Sequence, residues 1–326
     1  MPSVRASRLS VVFTAGVISV LAVPVLLSAQ AWLPPKGDGS VSFGVQTISF
    51  DGHFNTAGNK RPVLSSRATN LLLGLSYSFT DRFTAELSLP YVITKYTGDP
   101  ARLRFFVPTV LDDGTSHSSF QDFHLDLHYN VLKNSTRRGL QDLSLTPFFS
   151  VIIPSHSYAV RGESAFGRDL REYALGMSAG RLLSPLLRRA YVQGQYSYAF
   201  VQNANDISLN HSNIDIEMGY FLPHSLSVRG FGSWLKTHGG ITLEQAFANP
   251  QLLPIHDRLL RARFWHLGTG ASYSLNRSVD LSFSYVTYLA GSSTHYGRGI
   301  TIGTTWNFST RTSPTLAKMG RLQIRP

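Results

Sequence analysis

Asp122, His124, Asp126 and His128 alternate with Phe123, Leu125 and Leu127 in the run Asp122-Phe-His-Leu-Asp-Leu-His128. Residues two apart share a face of an extended strand. The run therefore sets two carboxylates and two imidazoles in one ladder. Such a ladder could hold a divalent metal through oxygen and nitrogen donors. More often it is the wet face of an amphipathic strand, and that reading is adopted, with no metal and no cofactor expected. The same parity rule, applied along the chain, gathers Glu86, Asp142, Glu172, Asp215, Glu217 and Asp280 on polar faces. Gln193, Gln195, Arg229 and His266 join them. Carboxylates lining an aqueous passage would favour cations. The competing expectation pairs them with inward Arg, His and hydroxyl groups, or with a loop folded inside.

Nucleophilic chemistry would need a His and a Ser on one face, and a third group to orient the imidazole. His117-Ser-Ser119 and His156-Ser157 fall in candidate loops, and His211-Ser-Asn213 sets Ser212 opposite its neighbours. No Asn is placed by pattern to complete a set. Asp113 and His117 could be drawn into an acid-catalysed site, but so could any His-bearing loop. Glycine-rich phosphate loops, zinc-ligand spacings and nucleic-acid motifs are absent. No catalytic residue is assigned, and the chain is expected not to be an enzyme.

The elements that would position these residues are strands. Alternating stretches recur at roughly 41–50, 68–79, 83–94, 120–131, 140–153, 169–181, 190–201, 211–222, 225–236, 260–274, 279–290 and 298–308. Most are long for globular strands and suit tilted strands crossing a bilayer. Their second faces are apolar: Phe83, Leu87, Tyr91; Phe123, Leu125, Tyr129; Ile216, Met218, Tyr220; Leu281, Phe283, Tyr285. The first and ninth stretches alternate poorly, which predicts a bulge or register break there. Tight turns at Thr80-Asp-Arg82, Pro223-His224 and Leu275-Asn-Arg-Ser278 alternate with long connections at 51–67, 95–119, 154–168 and 237–259. Loops 202–210 and 291–297 are shorter. Short turns at one end and long loops at the other are the pattern of a membrane barrel.

Composition agrees. Charged residues are 15% of the 326 and aromatics 12%, yet mean hydropathy is only −0.03. No stretch after the N-terminus is apolar enough for a spanning helix. The absence of cysteine excludes disulfides and thiolate metal sites. At the N-terminus, Arg5 and Arg8 precede an apolar run from Val11 to Leu27, and Ala29-Gln-Ala31 offers a small-x-small cleavage site. Residues 1–31 read as a cleaved signal peptide, 32–308 as the barrel and 309–326 as a basic periplasmic tail.

The formal charge of +11 calls for an anionic partner. Arg67, Lys95, Arg171, Lys236, Arg261, Arg263 and Arg298 sit at the long-loop ends of their strands with lipid-facing parity. There they would meet lipopolysaccharide phosphates rather than nucleic acid.

The final stretch, Arg298-Gly-Ile-Thr-Ile-Gly-Thr-Thr-Trp-Asn-Phe308, carries Gly303, Trp306 and a late aromatic at Phe308. It resembles the C-terminal signal by which barrel-assembly machinery recognises outer-membrane barrels, although residues 309–326 follow it. Trp32-Leu-Pro-Pro-Lys-Gly-Asp-Gly-Ser-Val41 and Val160-Arg-Gly-Glu-Ser164, with the layout across 32–308, resemble barrels grouped with transporters of phenol meta-cleavage pathways. That resemblance implies transport of small apolar or aromatic compounds. The expectation is an all-β, antiparallel up-and-down barrel of about twelve strands in the outer membrane of a Gram-negative bacterium. It would act as a passive, porin-like channel, with lipid, lipopolysaccharide, the assembly machinery and a small solute as partners. A plugged surface-interaction barrel is the alternative, and an outer-membrane hydrolase ranks last.

Overall fold

The computed structural model describes residues 31–62, 65–99, 111–132, 143–183, 187 and 189–311. The strands are β1 (Asp38–Phe54), β2 (Lys60–Arg61), β3 (Ser66–Thr80), β4 (Phe83–Tyr96), β5 (Ser116–Phe120), β6 (Asp122–Tyr129) and β7 (Leu143–Pro154). They continue as β8 (Glu172–Leu182), β9 (Ala190–Val201), β10 (His211–Phe221), β11 (Leu226–Thr237), β12 (Arg263–Ser274), β13 (Val279–Ser292) and β14 (Thr294–Ser309). Each long strand pairs antiparallel with its sequence neighbour, and β14 returns to β1 from Asp38↔Ser309 to Phe54↔Thr294. β5 and β6 both pair with β4 and form one stave broken at Gln121. β2 is a short return against the end of β1. The result is a closed twelve-stave antiparallel barrel, as the alternating pattern predicts.

Alternation decides which face meets what. On β14, Ile302 is 62% exposed and Trp306 56%, while their neighbours Thr301 and Thr305 are buried inside. Leu73, Leu175, Met218 and Leu289 stand outward in the same way. So continuous an exposed apolar belt is stable only against lipid. Among the described residues no helix is long and apolar enough to cross a membrane, so the crossing is made by strands.

Several expectations shift in detail. The first stretch does carry a bulge, between Phe50 and Gly52. The ninth does not: β11 pairs from Leu226 to Lys236 with β12, and from Ser227 to Thr237 with β10, without a register break. The further irregularities lie instead at Ser78/Thr80 and Trp265/His266. The loop expected at 291–297 shrinks to Ser293, at φ 49°, because β13 and β14 extend towards each other. The start of the 140–153 stretch, Asp142 included, lies outside the described residues.

Asp81-Arg82, Leu222–Ser225 and Leu275–Ser278 are hydrogen-bonded turns or tight connections at one end. The described parts of the connections 55–65 and 97–115, with the connections 155–171, 202–210 and 238–262, lie at the other end. The last of the long ones carries two short helices, α1 (Leu243–Ala248) and α2 (His256–Leu259). Thr242 caps α1: its hydroxyl accepts from the Gln245 N–H at 3.2 Å. Loops 155–171 and 238–262 contribute to apolar clusters within the barrel mouth, where Tyr158, Phe166 and Ala262 pack with Phe50, Phe231, Phe264 and Tyr288.

The long loops are expected to face outside and the turns the periplasm. An impermeant thiol reagent on intact cells should label Ser116→Cys and spare Asn276→Cys. Both positions are exposed, and the native chain has no cysteine to confuse the readout. Labelling of Asn276→Cys alone would invert the orientation.

Candidate functional site

The lumen is the candidate site. Glu86, Asp122, His124, Asp126, His128, Glu172, Asp215, Glu217, Arg229, His266 and Asp280 all point inward, and all are buried. They do not line a wide water-filled passage. Glu86, Asp122, Glu172, Asp215, Glu217 and Asp280 each have a donor inside, as burial of a charged group requires. Glu217 accepts from Tyr191 Oη at 2.7 Å and Gln193 Nε2 at 2.9 Å, and Arg229 Nη1 stands 3.5 Å from it. Asp215 accepts from Gln195 Nε2 at 2.9 Å and also from Ser233 and Asn213. Asp280 accepts from Asn307 Nδ2 at 2.6 Å, and Glu86 from Ser76 Oγ at 3.3 Å. Asn70 Nδ2 on β3 donates to Gln46 Oε1 on β1, and Gln46 Nε2 donates across the closing seam to Thr301 Oγ1, both at 3.1 Å. The acidic lining is thus largely spent on internal pairs, the second of the two expectations.

Two partners come from a loop rather than a strand, and the sequence reading missed them. Tyr158 Oη donates to Asp122 Oδ1 at 2.6 Å, and Arg168 bonds Glu172. Both lie in the 155–171 connection. Glu172 also stands 3.8 Å from His211 Nε2. Only inward folding of that connection brings these groups together, and strand parity carries no signal of it. The turn end is lined too: Trp32 packs edge-on to Tyr191.

The ladder Asp122, His124, Asp126, His128 faces inward as parity predicts, but its four side chains do not converge on a metal position. Asp122 is turned to Tyr158. At the rim, Asp113 lies 3.0 Å from His117 Nε2. The N–H and hydroxyl of Thr115, with His117, hold the Asp113 carboxyl at about 2. Ser119 Oγ is 3.1 Å from His156 Nε2, but His156 Nδ1 faces Ser155 Oγ at 2.9 Å, not a carboxylate. The orienting member of a nucleophilic set is missing from that pair.

Outside, Arg67, Lys95, Arg171, Lys236, Arg261, Arg263 and Arg298 are all exposed at the long-loop ends. Register adds what parity could not show. Arg67 stands directly opposite Lys95, and Lys236 directly opposite Arg263. Ser49 separates Arg298 from Arg67, so one cationic row crosses four adjacent strands. Like charges placed opposite each other are destabilising without an intervening anion. Asp257 of the neighbouring 238–262 connection is buried within the mouth. Arg261 alone bonds its own loop, through Nη2 to the Gly240 carbonyl at 3.2 Å. At the other end, Phe308 stacks on Tyr77 beside Trp306, and a Cβ at Gly303 would stand 2.9 Å from Ser282 Oγ.

The fold is that of an outer-membrane β-barrel. The solved structure of the COG4313 outer membrane channel from Pseudomonas putida F1 superposes with a TM-score of 0.66 at 13% identity, covering 86% of this chain and 99% of that one. The NanC porin (TM-score 0.47, 8% identity, 82% and 98% covered) and a deletion mutant of the TodX monoaromatic hydrocarbon channel (0.44, 11%, 86% and 92%) are more distant barrels. No protein-family model and no curated protein matches the sequence.

The Glu217 network sets an order of costs. Removing one partner of a buried ion pair strands the other, so Arg229→Leu should destabilise the barrel by about 3 kcal/mol. Tyr191→Phe, which removes one of three donors, should cost about 1.5 kcal/mol. Urea unfolding from lipid vesicles, followed by tryptophan fluorescence, measures both, and the reverse order would show that Arg229 does not support Glu217.

Proposed function

We propose that this chain is a passive outer-membrane channel for small solutes in a Gram-negative bacterium, with apolar or aromatic compounds as its substrate class. The observation that carries this reading is the closed barrel itself, built on the same fold as an outer membrane channel over nearly the whole of that protein. The substrate class is supported by the mouth, where Phe50, Phe231, Phe264, Tyr288, Tyr158 and Phe166 form an apolar, aromatic cluster above a polar mid-zone. A solute with a ring and one polar group would find both surfaces in sequence. An enzymatic role finds no support in the rim geometry.

A second reading is favoured by the filled lumen: a plugged barrel whose outer loops bind a partner. Planar-bilayer recording separates the two. The channel reading expects discrete conductance steps with a cation preference, because carboxylates lower the barrier for opposite charge. The Asp122→Asn/Asp126→Asn/Asp215→Asn/Glu217→Gln variant should lose at least half of that preference. A silent wild-type protein would leave the plugged reading standing.

The cationic row is proposed as a lipopolysaccharide seat, in which phosphates sit between facing charges and accept bidentately from Arg. Lipopolysaccharide in the refolding bilayer should stabilise wild type more than an Arg67→Gln/Lys95→Gln/Arg263→Gln/Arg298→Gln variant, by about 1 kcal/mol per charge removed. Equal stabilisation of the two proteins would remove the row from the binding of lipopolysaccharide.

A further inference from the structure

Three histidines and two carboxylates converge at the barrel mouth, from four separate parts of the chain. His53 ends β1 and His295 begins β14, and the two are register partners across the closing seam. His256 and Asp257 open α2 in the 238–262 connection, and Glu163 comes from the 155–171 connection. All five side chains are buried. His53 reaches this place because of the bulge. Upstream of it the even-numbered Gln46, Ile48 and Phe50 face inward, so an unbroken strand would turn His53 to lipid. The extra residue re-aims the following side chains. Gly52 permits it at φ 148°, where a Cβ would stand 2.1 Å from the Arg61 carbonyl oxygen.

The contacts fall into two triads that share His53. His53 Nε2 lies 3.5 Å from Glu163 Oε2, and His256 Nε2 lies 3.3 Å from both Glu163 Oε1 and Asp257 Oδ1. His295 Nε2 lies 2.9 Å from Asp257 Oδ1. The donor atoms of His53, Asp257 and His295 lie within 4.8 Å of one another, and so, as a second triad, do those of His53, Glu163 and His256. Four ligands at the usual nitrogen and oxygen distances from a tetrahedral zinc stand about 3.3 Å apart.

One tautomer is fixed. His256 Nδ1 lies 2.7 Å from the Leu253 carbonyl oxygen, which can only accept. Nδ1 therefore carries the proton, and in the neutral ring the Nε2 lone pair points at two carboxylate oxygens. This is the orientation by which an outer hydrogen bond prepares a metal-bound imidazole. Meanwhile His256 Nε2, Glu163 Oε2 and Asp257 Oδ2 are buried and make no hydrogen bond, and a cation between them would satisfy all three. The frame is rigid. The N–H groups of Glu163 and Ser164 donate to Asp112 at 3.0 and 2.9 Å, and the Gly162 N–H donates to the Pro254 carbonyl at 2.9 Å.

We propose that His53, Glu163, His256, Asp257 and His295 form a binding site for one divalent transition-metal ion, which ties both inward loops to the closing seam. Three imidazoles and two carboxylates without thiolate suit zinc, nickel or cobalt(II), and disfavour calcium and magnesium, which take oxygen shells. This inference goes beyond the channel reading and stands or falls separately from it.

The test uses the full mature chain, refolded without a polyhistidine tag and stripped with chelator. Zinc should bind at one equivalent per barrel by metal analysis after dialysis, and cobalt(II) should give the visible absorption of a low-coordinate nitrogen and oxygen shell. His295→Gln and His256→Gln should each weaken binding at least tenfold, and His124→Gln, inward but outside the cluster, should leave it unchanged. If the cluster variants fail to fold, the wild-type titration still decides. Failure of wild type to retain zinc at micromolar concentration would overturn the site and leave a proton as the bridging charge. So would equal binding by the cluster variants, or calcium binding as tightly as zinc.

Discussion

Everything in this protein depends on the hydrogen-bonded return of β14 to β1. In hydrocarbon no water is available to a backbone N–H or C=O, and an open sheet would leave one row of each unpaired at both edges. The seam runs unbroken from Asp38↔Ser309 to Phe50↔Gly297 and resumes beyond the bulge. Closure of an all-antiparallel sheet forces an even number of staves, and twelve long strands with a broken fourth stave meet that condition. It also fixes which side chains go in and which go out, because one shared register propagates around the ring. The cationic row outside and the His53–His295 pair inside are both products of that register.

Closure then imposes a second requirement. A small barrel has little interior volume, and every other residue of every strand projects into it. Polar side chains are needed where a solute is to pass, yet they are costly if left unpaired in a space too narrow for bulk water. Glu217 with Tyr191, Gln193 and Arg229, and Asp215 with Gln195, Ser233 and Asn213, are local answers to that conflict. Each uses partners on the same strand or the next one, so they form as neighbouring strands come into register and need no distant contact.

That locality explains how much could be read from sequence. Strand number, inward and outward parity and the split between turns and loops follow from short-range periodicity, and the sequence carries them openly. Even the inward set from Glu86 to Asp280 was legible, apart from Asp142, which lies outside the described residues. Chemistry built across distance was not. Tyr158 and Arg168 reach Asp122 and Glu172 through the path of a loop, and loop paths leave no periodic trace. His53 was doubly hidden, since strict parity in β1 assigns it to the lipid face until the bulge at Gly52 is known. The poor alternation of β1 signalled a bulge but not its position. The similar irregularity of the Leu226–Thr237 stretch reflects Gly230, Gly232 and Ser233 within a regular strand, where small residues weaken the pattern without breaking the ladder.

The loop contribution also bears on how a filled barrel could conduct. Residues 155–171 supply the hydroxyl that faces Asp122, the guanidinium that faces Glu172 and part of the aromatic cluster above them. These are the same groups that close the mouth. Displacing this connection outward would remove apolar volume and would also strip two inward carboxylates of their partners. The open lumen would be wider and more negative than the closed one, and the exposed carboxylates would be hydrated rather than stranded. Were such a movement to occur, lost ion pairing would be offset in part by regained hydration. Glu163 lies on that same connection, and its backbone is held by Asp112. Any group that fixes Glu163 to the seam therefore weights the closed side of that balance.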